Sequence, residues 1–450
     1  MRNLQDTICA RATPPGEGAI AIVRVSGGEA YRLLSEVFRP ANPPLRPRVL
    51  SYGKVTDGKN DLDEAMAVLL PGPQSYTRED VAEIHCHGSE TVVSRILRLL
   101  IGKGARPAEP GEFTYRAFLA GRVDLSQAEG VMRMIRADND RAIKSAIRQM
   151  EGGTALFVRE AREEITDMLS ALSAAIDFPD EVDEQETGEV LRTRCLFLSE
   201  RLSSACDAKT GRIEEEGLRV ALYGRPNAGK SSLLNALLRE ERAIVTAIPG
   251  TTRDTLTEKM QIGGVPVLLT DTAGLREAVD EAEAAGVKRA ERALSEADVH
   301  LLVLDGSREE VAGEVETTRG IRPDIIALSK GDLPSVLHAE EIRARFPGTQ
   351  VFEISAKTGE GLSELQDAIV AFAPESQDGG SILTGARHIA AAESASRSLQ
   401  EAANAIMNGF GTETVAIDLS AALDALGEIT GETMNEKVID TVFAKFCVGK

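Results

Sequence analysis

Cysteine is scarce: the 450 residues contain five, scattered along the chain. That is too few and too irregular for a disulfide-stapled fold. Long apolar runs are missing as well. None approaches the roughly 18 residues of a membrane-crossing helix, so a transmembrane protein is excluded. Proline numbers only 18, which together with 42% hydrophobic residues excludes wholesale disorder. Positive charge is the remaining shortage. Lys and Arg total 51 against 71 Asp and Glu, a formal net charge of -20. Such a surface has no general basic field to draw in nucleic acid, so any polyanion must be gripped at a local patch. The opening stretch MRNLQDTICARATPPGEG has no positive cluster followed by an apolar segment. A soluble, cytoplasmic chain without membrane contact is expected.

What is present divides by texture, and the length calls for two to four domains at about 100 to 200 residues each. In 1–121, short strand-like runs (AIAIVRV at 19–25, EAMAVLLP at 64–71) precede a helical TVVSRILRLLIGKG at 91–104. Their periods predict an α+β domain. From 122 to 217 long stretches rich in Ala, Glu, Arg and Leu repeat apolar residues at helical spacing, so these helices need partners. From 218 to 374 the runs LRVALYG, VPVLLTD, ADVHLLVLDGS, PDIIALSKGD and TQVFEISAKTG have strand length, with room for crossover helices between them. They predict an open α/β domain. Helical texture returns in 375–450. The simplest layout is one helical domain interrupted by the α/β domain, because insertion is tolerated where a domain's termini lie close together at its surface. A contiguous string of four domains is the rival.

The strongest motif follows LRVALY. Gly224-Arg225-Pro226-Asn227-Ala228-Gly229-Lys230-Ser231 is a full match to GxxxxGK followed by Ser or Thr, and Ser232 with LLNAL carries on into a helix. Gly229 lets the backbone wrap closely, and successive N–H groups and the helix N-terminus can point at phosphate oxygens. Lys230 is expected to reach the β- and γ-phosphates, and Ser231 to ligate Mg²⁺. Asp271-Thr272-Ala273-Gly274 follows VPVLLT. It places a carboxylate for the metal and a glycine N–H for the γ-phosphate, the parts of a switch. Lys330 and Asp332 end the run DIIALS, and Ser355-Ala356-Lys357 ends the next one. An aspartate can accept two hydrogen bonds from guanine N1 and N2 that adenine cannot offer, so Asp332 favours GTP over ATP. Leu275 stands where an orienting Gln is common after such a switch, and a leucine cannot hold water. On charge pattern, Asp280, Glu281 and Glu283 are all candidates to replace it.

The order of these elements, with Thr251 and Thr252 between the first and third, resembles that of Ras-like P-loop GTPases. Those proteins usually carry Asn-Lys-x-Asp where this chain has Ser329-Lys330-Gly331-Asp332. The departure shortens a side chain that normally braces the phosphate loop and the base, so guanine specificity is expected to survive and affinity to weaken. Over nearly its whole length the chain resembles the MnmE (TrmE) family of tRNA modification GTPases. The resemblance rests on ATPPGEGAIAIVRVSG at 12–27, PGEFTYRAFLAGRVDLSQAEGV at 110–131, the phosphate loop, AIVTAIPGTTRD at 243–254, DTAGLREAVDEAE at 271–283 and the closing FCVGK. A ribosome-associated assembly GTPase, the main rival, leaves the N-terminal segment and FCVGK unexplained.

The resemblance implies an N-terminal tetrahydrofolate-binding domain that forms a homodimer, a discontinuous all-α helical domain, and a Ras-like α/β GTPase domain inserted into it. It implies GTP contacts extending through Ala228, Ser232, Thr246, Ala247, Ile248, Pro249, Gly250, Thr251 and Thr252 to Ala273, Gly274 and Ala356. It implies K⁺ held by Asn227 with carbonyls around Thr246, Ile248 and Thr251, and Mg²⁺ served by Ser231 and Thr252. Glu283 is implied as the acid that orients the hydrolytic water. A tetrahydrofolate derivative, in its 5-formyl or 5,10-methylene form, is implied at Arg24, Glu83, Arg122 and Lys450, with Arg122 standing where relatives often have Lys. Taken by themselves, Arg24 and Glu83 read as ordinary ion pairs. Cys447 in FCVGK is implied to be necessary for tRNA modification, as nucleophile, acid or support. The implied partners are the FAD- and NADH-dependent protein MnmG and tRNA, whose wobble uridine would receive an aminomethyl-type group at C5. Strand alternation in EIHCHGSE would put His85 and His87 on one face, and relatives need no metal there.

Overall fold

The computed structural model describes residues 6–137, 139–177, 184–240, 257–272, 291–308, 321–374 and 383–450. They form two compact units, one of Met1–Arg136, Ala146–Ser203 and Ala390–Lys450, the other of Ala137–Ser145 and Ser204–Ile389. Among the described residues no helix is long and apolar enough to cross a membrane.

The first unit begins with β1 (Ile8–Arg11), β2 (Gly18–Ser26), β3 (Phe38–Pro40), β4 (Ser51–Thr56), β5 (Asp61–Leu70), β6 (Val81–Gly88) and β7 (Arg106–Pro107). They make one sheet in the order β3-β4-β5-β6-β2-β1-β7. Its pairs are antiparallel apart from β1 with β7. Helices Ala30–Val37 and Glu90–Gly102 bury Leu33, Leu34, Ile96 and Leu100 in a core with Ala21, Val23, Val25, Ala82, Ile84 and Cys86. Because neighbours along a strand point to opposite faces, burying Val23 and Ile84 sends Arg24, Glu83 and His85 to the other side. Arg24 and Glu83 are direct cross-strand partners.

The helical part of this unit is built from amphipathic stripes. In helix Gly153–Asp177 the buried Phe157, Val158, Ala161, Ile165, Met168 and Leu172 recur at helical spacing. Helix Thr412–Thr430, which packs against it, buries Val415, Leu419, Ala422, Leu426 and Ile429. Ser199 and Ser396, on different helices, share a buried hydroxyl–hydroxyl bond of 2.8 Å. Near the C-terminus, Phe443 and Phe446 join Leu125, Ala128 and Met132 in a separate small core. That core brings the end of the chain to helix Glu112–Leu119, whose Tyr115 meets the Phe443 ring edge-on at 5.2 Å.

The second unit holds β8 (Leu218–Tyr223), β9 (Thr257–Ile262), β10 (Val265–Asp271), β11 (Val299–Asp305), β12 (Ile325–Ser329) and β13 (Gln350–Glu353), in the order β13-β12-β11-β8-β10-β9. All neighbours are parallel except β9 with β10. Both faces are covered: Val220, Leu222 and Val303 enter one core, Ala221, Tyr223 and Leu304 the other. Two-sided burial is the reason these strands read as continuous apolar runs. The parallel strands end at one edge of the sheet, where open α/β sheets hold their ligands.

Candidate functional site

That edge carries the phosphate loop. Gly224 follows β8 with φ +139°, and a Cβ there would lie 2.3 Å from the carbonyl oxygen of Val303. Only glycine fits so close to a neighbouring strand. Asn227 (φ 65°) and Gly229 (φ 98°) continue the left-handed course of the loop, and Lys230 opens the helix Lys230–Glu240. The Lys230 ammonium donates to the carbonyl oxygens of Gly224 at 2.9 Å and Arg225 at 2.8 Å. Burial holds its pKa below the usual lysine range, with the Asp271 charge pulling the other way. An ammonium so placed gains from an anion that enters the loop.

Beside it the Ser231 hydroxyl donates to Asp271 Oδ2 at 3.0 Å, joining the first helical turn to the end of β10. Thr272 turns inward, its N–H and hydroxyl both bonded to the Leu222 carbonyl, at 3.0 and 2.8 Å. Ser232 is exposed, one residue further along the helix.

The base loops lie at the ends of β12 and β13. Ser329 donates its hydroxyl to the Ala228 carbonyl oxygen at 2.5 Å, so the shortened side chain still braces the phosphate loop. Lys330 has φ 64°, and its ammonium pairs with the Asp305 carboxylate. The Ser355 hydroxyl donates to Asp332 Oδ1 at 3.0 Å, and the Lys357 ammonium lies 3.6 Å from Asp332 Oδ2. The Ser355 bond, outweighing partial burial, keeps the Asp332 carboxyl below the usual range. Ser355 Oγ also accepts the N–H groups of Lys357 and Thr358, at 3.3 and 3.2 Å. Ala356 is half-buried against the core below. Asp305 escaped the sequence reading, although it ends an apolar strand as Asp271 does. Thr246, Ala247, Ile248, Pro249, Gly250, Thr251, Thr252, Ala273, Gly274, Leu275, Asp280, Glu281 and Glu283 lie outside the described residues.

The first unit gathers a second constellation. Arg24 Nε donates to Glu83 Oε1 at 2.8 Å, and Glu83 Oε2 lies 3.3 Å from His85 Nε2. The Arg24 guanidinium sits 5.8 Å from the Tyr76 ring and 5.7 Å from that of Phe113, and reaches the Gly449 carbonyl at 3.4 Å. Arg122 lies 4.6 Å over the Tyr76 ring and donates to the Tyr76 carbonyl at 3.0 Å. The Tyr76 ring therefore meets two guanidinium groups, a role no local signal in the sequence revealed. The tail is fixed by backbone bonds: Gly111 N–H donates to the Cys447 carbonyl and Phe113 N–H to that of Lys450, at 3.3 and 3.2 Å. Cys447 is exposed and Lys450 half-buried. Burial, followed by the charge of Arg24, lowers the Lys450 pKa, with Cys447 and Glu83 acting in the opposite sense. Three cations and one carboxylate suit an anionic ligand that also offers N–H donors. His87 Nδ1 lies 2.7 Å from Asp63 Oδ1 whereas His85 meets Glu83, so among the described residues the two histidines bond to different carboxylates.

Comparison with known proteins gives two family matches along the chain. The model described as MnmE helical domain matches residues 125–447, and that described as GTP-binding protein TrmE N-terminus matches residues 7–122. The chain is 43% identical over 458 residues to the tRNA modification GTPase MnmE of Enterococcus faecalis, covering 99% of this chain and 98% of that protein. To the tRNA modification GTPase MnmE of Symbiobacterium thermophilum it is 44% identical over 456 residues, covering 99% of this chain and all of that protein (100%).

Proposed function

The chain belongs to the MnmE family of tRNA modification GTPases, and on that premise we propose that it is a K⁺-activated GTP hydrolase that works as a homodimer with MnmG and tRNA. The observation that carries the reading is the meeting of Ser231 with Asp271 at 3.0 Å beside the Lys230-capped phosphate loop. Loop N–H groups and Lys230 bind the β- and γ-phosphates, while Asp332, held by Ser355, accepts the guanine N1 and N2 protons. A hydroxyl and a carboxylate form an oxygen donor pair that fits Mg²⁺, with Thr252 as the further ligand. When bound, Mg²⁺ neutralises charge that develops on the phosphate oxygens, and K⁺ at Asn227, Thr246, Ile248 and Thr251 adds positive charge where other GTPases use an arginine finger. Glu283 orients the attacking water. Hydrolysis drives closing and opening of the GTPase domains, relayed through the helices to the modification centre.

In the N-terminal constellation, Arg122 and Lys450 receive the carboxylates of a tetrahydrofolate derivative, and Glu83 accepts its ring N–H donors. The donor set fits that group, and the bound folate supplies the one-carbon unit destined for C5 of the wobble uridine. Cys447 serves this step, and MnmG supplies the FAD and NADH chemistry. The test is nucleoside analysis of tRNA from cells lacking the chain, alongside hydrolysis measured in KCl and NaCl. An unchanged wobble uridine refutes the modification role. Equal rates in the two salts refute K⁺ activation, and parental hydrolysis by Glu283→Ala removes that residue from the water.

A further inference from the structure

Ser329 is 3% exposed at the end of β12, and its hydroxyl donates to Ala228 of the phosphate loop. The hydroxyl is packed against the loop, since a Cβ placed on Gly229 would stand 3.0 Å from Ser329 Oγ. A serine hydroxyl carries one proton, whereas a carboxamide carries two. With its single proton held by the Ala228 carbonyl, Ser329 can only accept from a further partner. Guanine N7 is itself an acceptor and needs a donor. An asparagine at this position can satisfy the loop carbonyl and N7 together, and serine can satisfy only one of them.

We propose that Ser329 braces the phosphate loop and contributes no hydrogen bond to the base, so that this pocket does not read guanine N7. The inference rests on the guanine reading above and deepens it. Specificity comes from Asp332 on the N1 and N2 edge, where it is held by Ser355. The cost of the substitution falls on affinity for every purine nucleotide with an N7, leaving the choice of base untouched.

Equilibrium binding of GDP, 7-deaza-GDP and ADP to the full chain tests this. The wild-type protein is expected to bind GDP and 7-deaza-GDP within about twofold of each other and to discriminate strongly against ADP. Ser329→Asn is expected to bind GDP about tenfold more tightly, the effect of one added hydrogen bond, and 7-deaza-GDP is expected not to share the gain. If Ser329→Asn does not fold, the wild-type comparison still decides. Loss of about tenfold on replacing N7 in the wild type, with ADP still excluded, overturns this inference and leaves the guanine reading standing. A gain in Ser329→Asn that 7-deaza-GDP shares, or no gain at all, overturns the assignment to position 329. No preference for GDP over ADP overturns the guanine reading and this inference with it.

Discussion

The backbone N–H of Phe113 donates to the carbonyl of Lys450 at 3.2 Å, so the last residue of the sequence is pinned to a helix that begins more than three hundred residues earlier. The intervening Gly449 makes this docking possible. It has φ 94°, and a Cβ there would come within 2.1 Å of the Arg11 carbonyl oxygen. Gly449→Ala is therefore expected to lift the tail from its seat, displacing both Lys450 and the carbonyl that meets Arg24. Binding of 5-formyltetrahydrofolate, followed by calorimetry, should weaken by at least about tenfold, the scale of one lost charged hydrogen bond. GDP binding, which uses the other unit, should stay unchanged. Unaltered folate affinity would show that the docked tail is not part of that site.

The thiols provide a second check on the tail. Cys9, Cys86 and Cys195 are at most 3% exposed, and burial pushes each thiol pKa up to about 11. Near pH 8 only about one in a thousand of each is thiolate, the reactive form. Cys447 is exposed, and Cys206 is half-buried. Titration of the native protein with a thiol reagent at pH 8 should show one fast phase that vanishes in Cys447→Ser. Cys9, Cys86 and Cys195 should react only after denaturation. A Cys447 thiol that reacts no faster than the three buried ones would contradict the exposed placement of the tail thiol.

A buried ion network holds the N-terminal sheet to helix Glu112–Leu119. Glu112 is fully buried and bonds to Arg106 and Arg116, and Arg116, itself 2% exposed, also bonds to Asp6. Burial alone would raise the Glu112 pKa, but its bonds to Arg106, the Glu109 N–H and Arg116 bring it below the ordinary 4.5. A carboxyl whose folded pKa is depressed stabilises fully above its unfolded value and loses that contribution as pH falls through the folded value. Glu112→Gln removes one of three carboxylates around Arg116, which keeps Asp6 and Glu79, and should cost about 1.5 to 3 kcal/mol at pH 7, the scale of a lost charged hydrogen bond. In urea unfolding at a series of pH values, the gap between the wild type and Glu112→Gln should be constant above pH 4.5 and close below it. A gap that widens on acidification would refute the assigned direction.

The sequence reveals structure where a local rule governs it and hides structure where contact is made across the chain. The runs LRVALY and VHLLVLD are legible because both faces of their strands are buried, and the phosphate loop because its glycines and Lys230 are contiguous. β9 is not legible: in TEKMQI, on the sheet edge, Glu258 and Lys259 remain exposed and the apolar content is low. The tail site is hidden for a different reason. Arg24, Tyr76, Phe113 and Gly449 have no common period, and their meeting depends on the β2–β6 register and on the small Phe443 core. Family resemblance named Arg24 and Lys450, while Tyr76 emerged only from the fold. Ser329 shows a finer limit, since the sequence reveals a shortened side chain but not that its hydroxyl would reach the Ala228 carbonyl.

Base recognition can be inverted at one atom. Asp332 accepts the Ser355 hydroxyl through Oδ1, which leaves Oδ2, 3.6 Å from the Lys357 ammonium, as the acceptor for guanine N1–H and N2–H. In Asp332→Asn the side-chain oxygen can keep the Ser355 bond, and the amide nitrogen then falls at the Oδ2 position. There it presents donors to a base edge that offers donors, which disfavours guanine. Xanthine has a carbonyl where guanine has its amino group, and that carbonyl accepts from the amide. The variant is expected to lose about hundredfold or more in GDP affinity and to prefer xanthosine diphosphate, because a polar site left unpaired discriminates strongly. Competition of the two nucleotides against a fluorescent analogue measures the switch. An Asp332→Asn protein that still prefers GDP would mean that the base is read elsewhere, and the bond from Ser355 would then be only a loop contact.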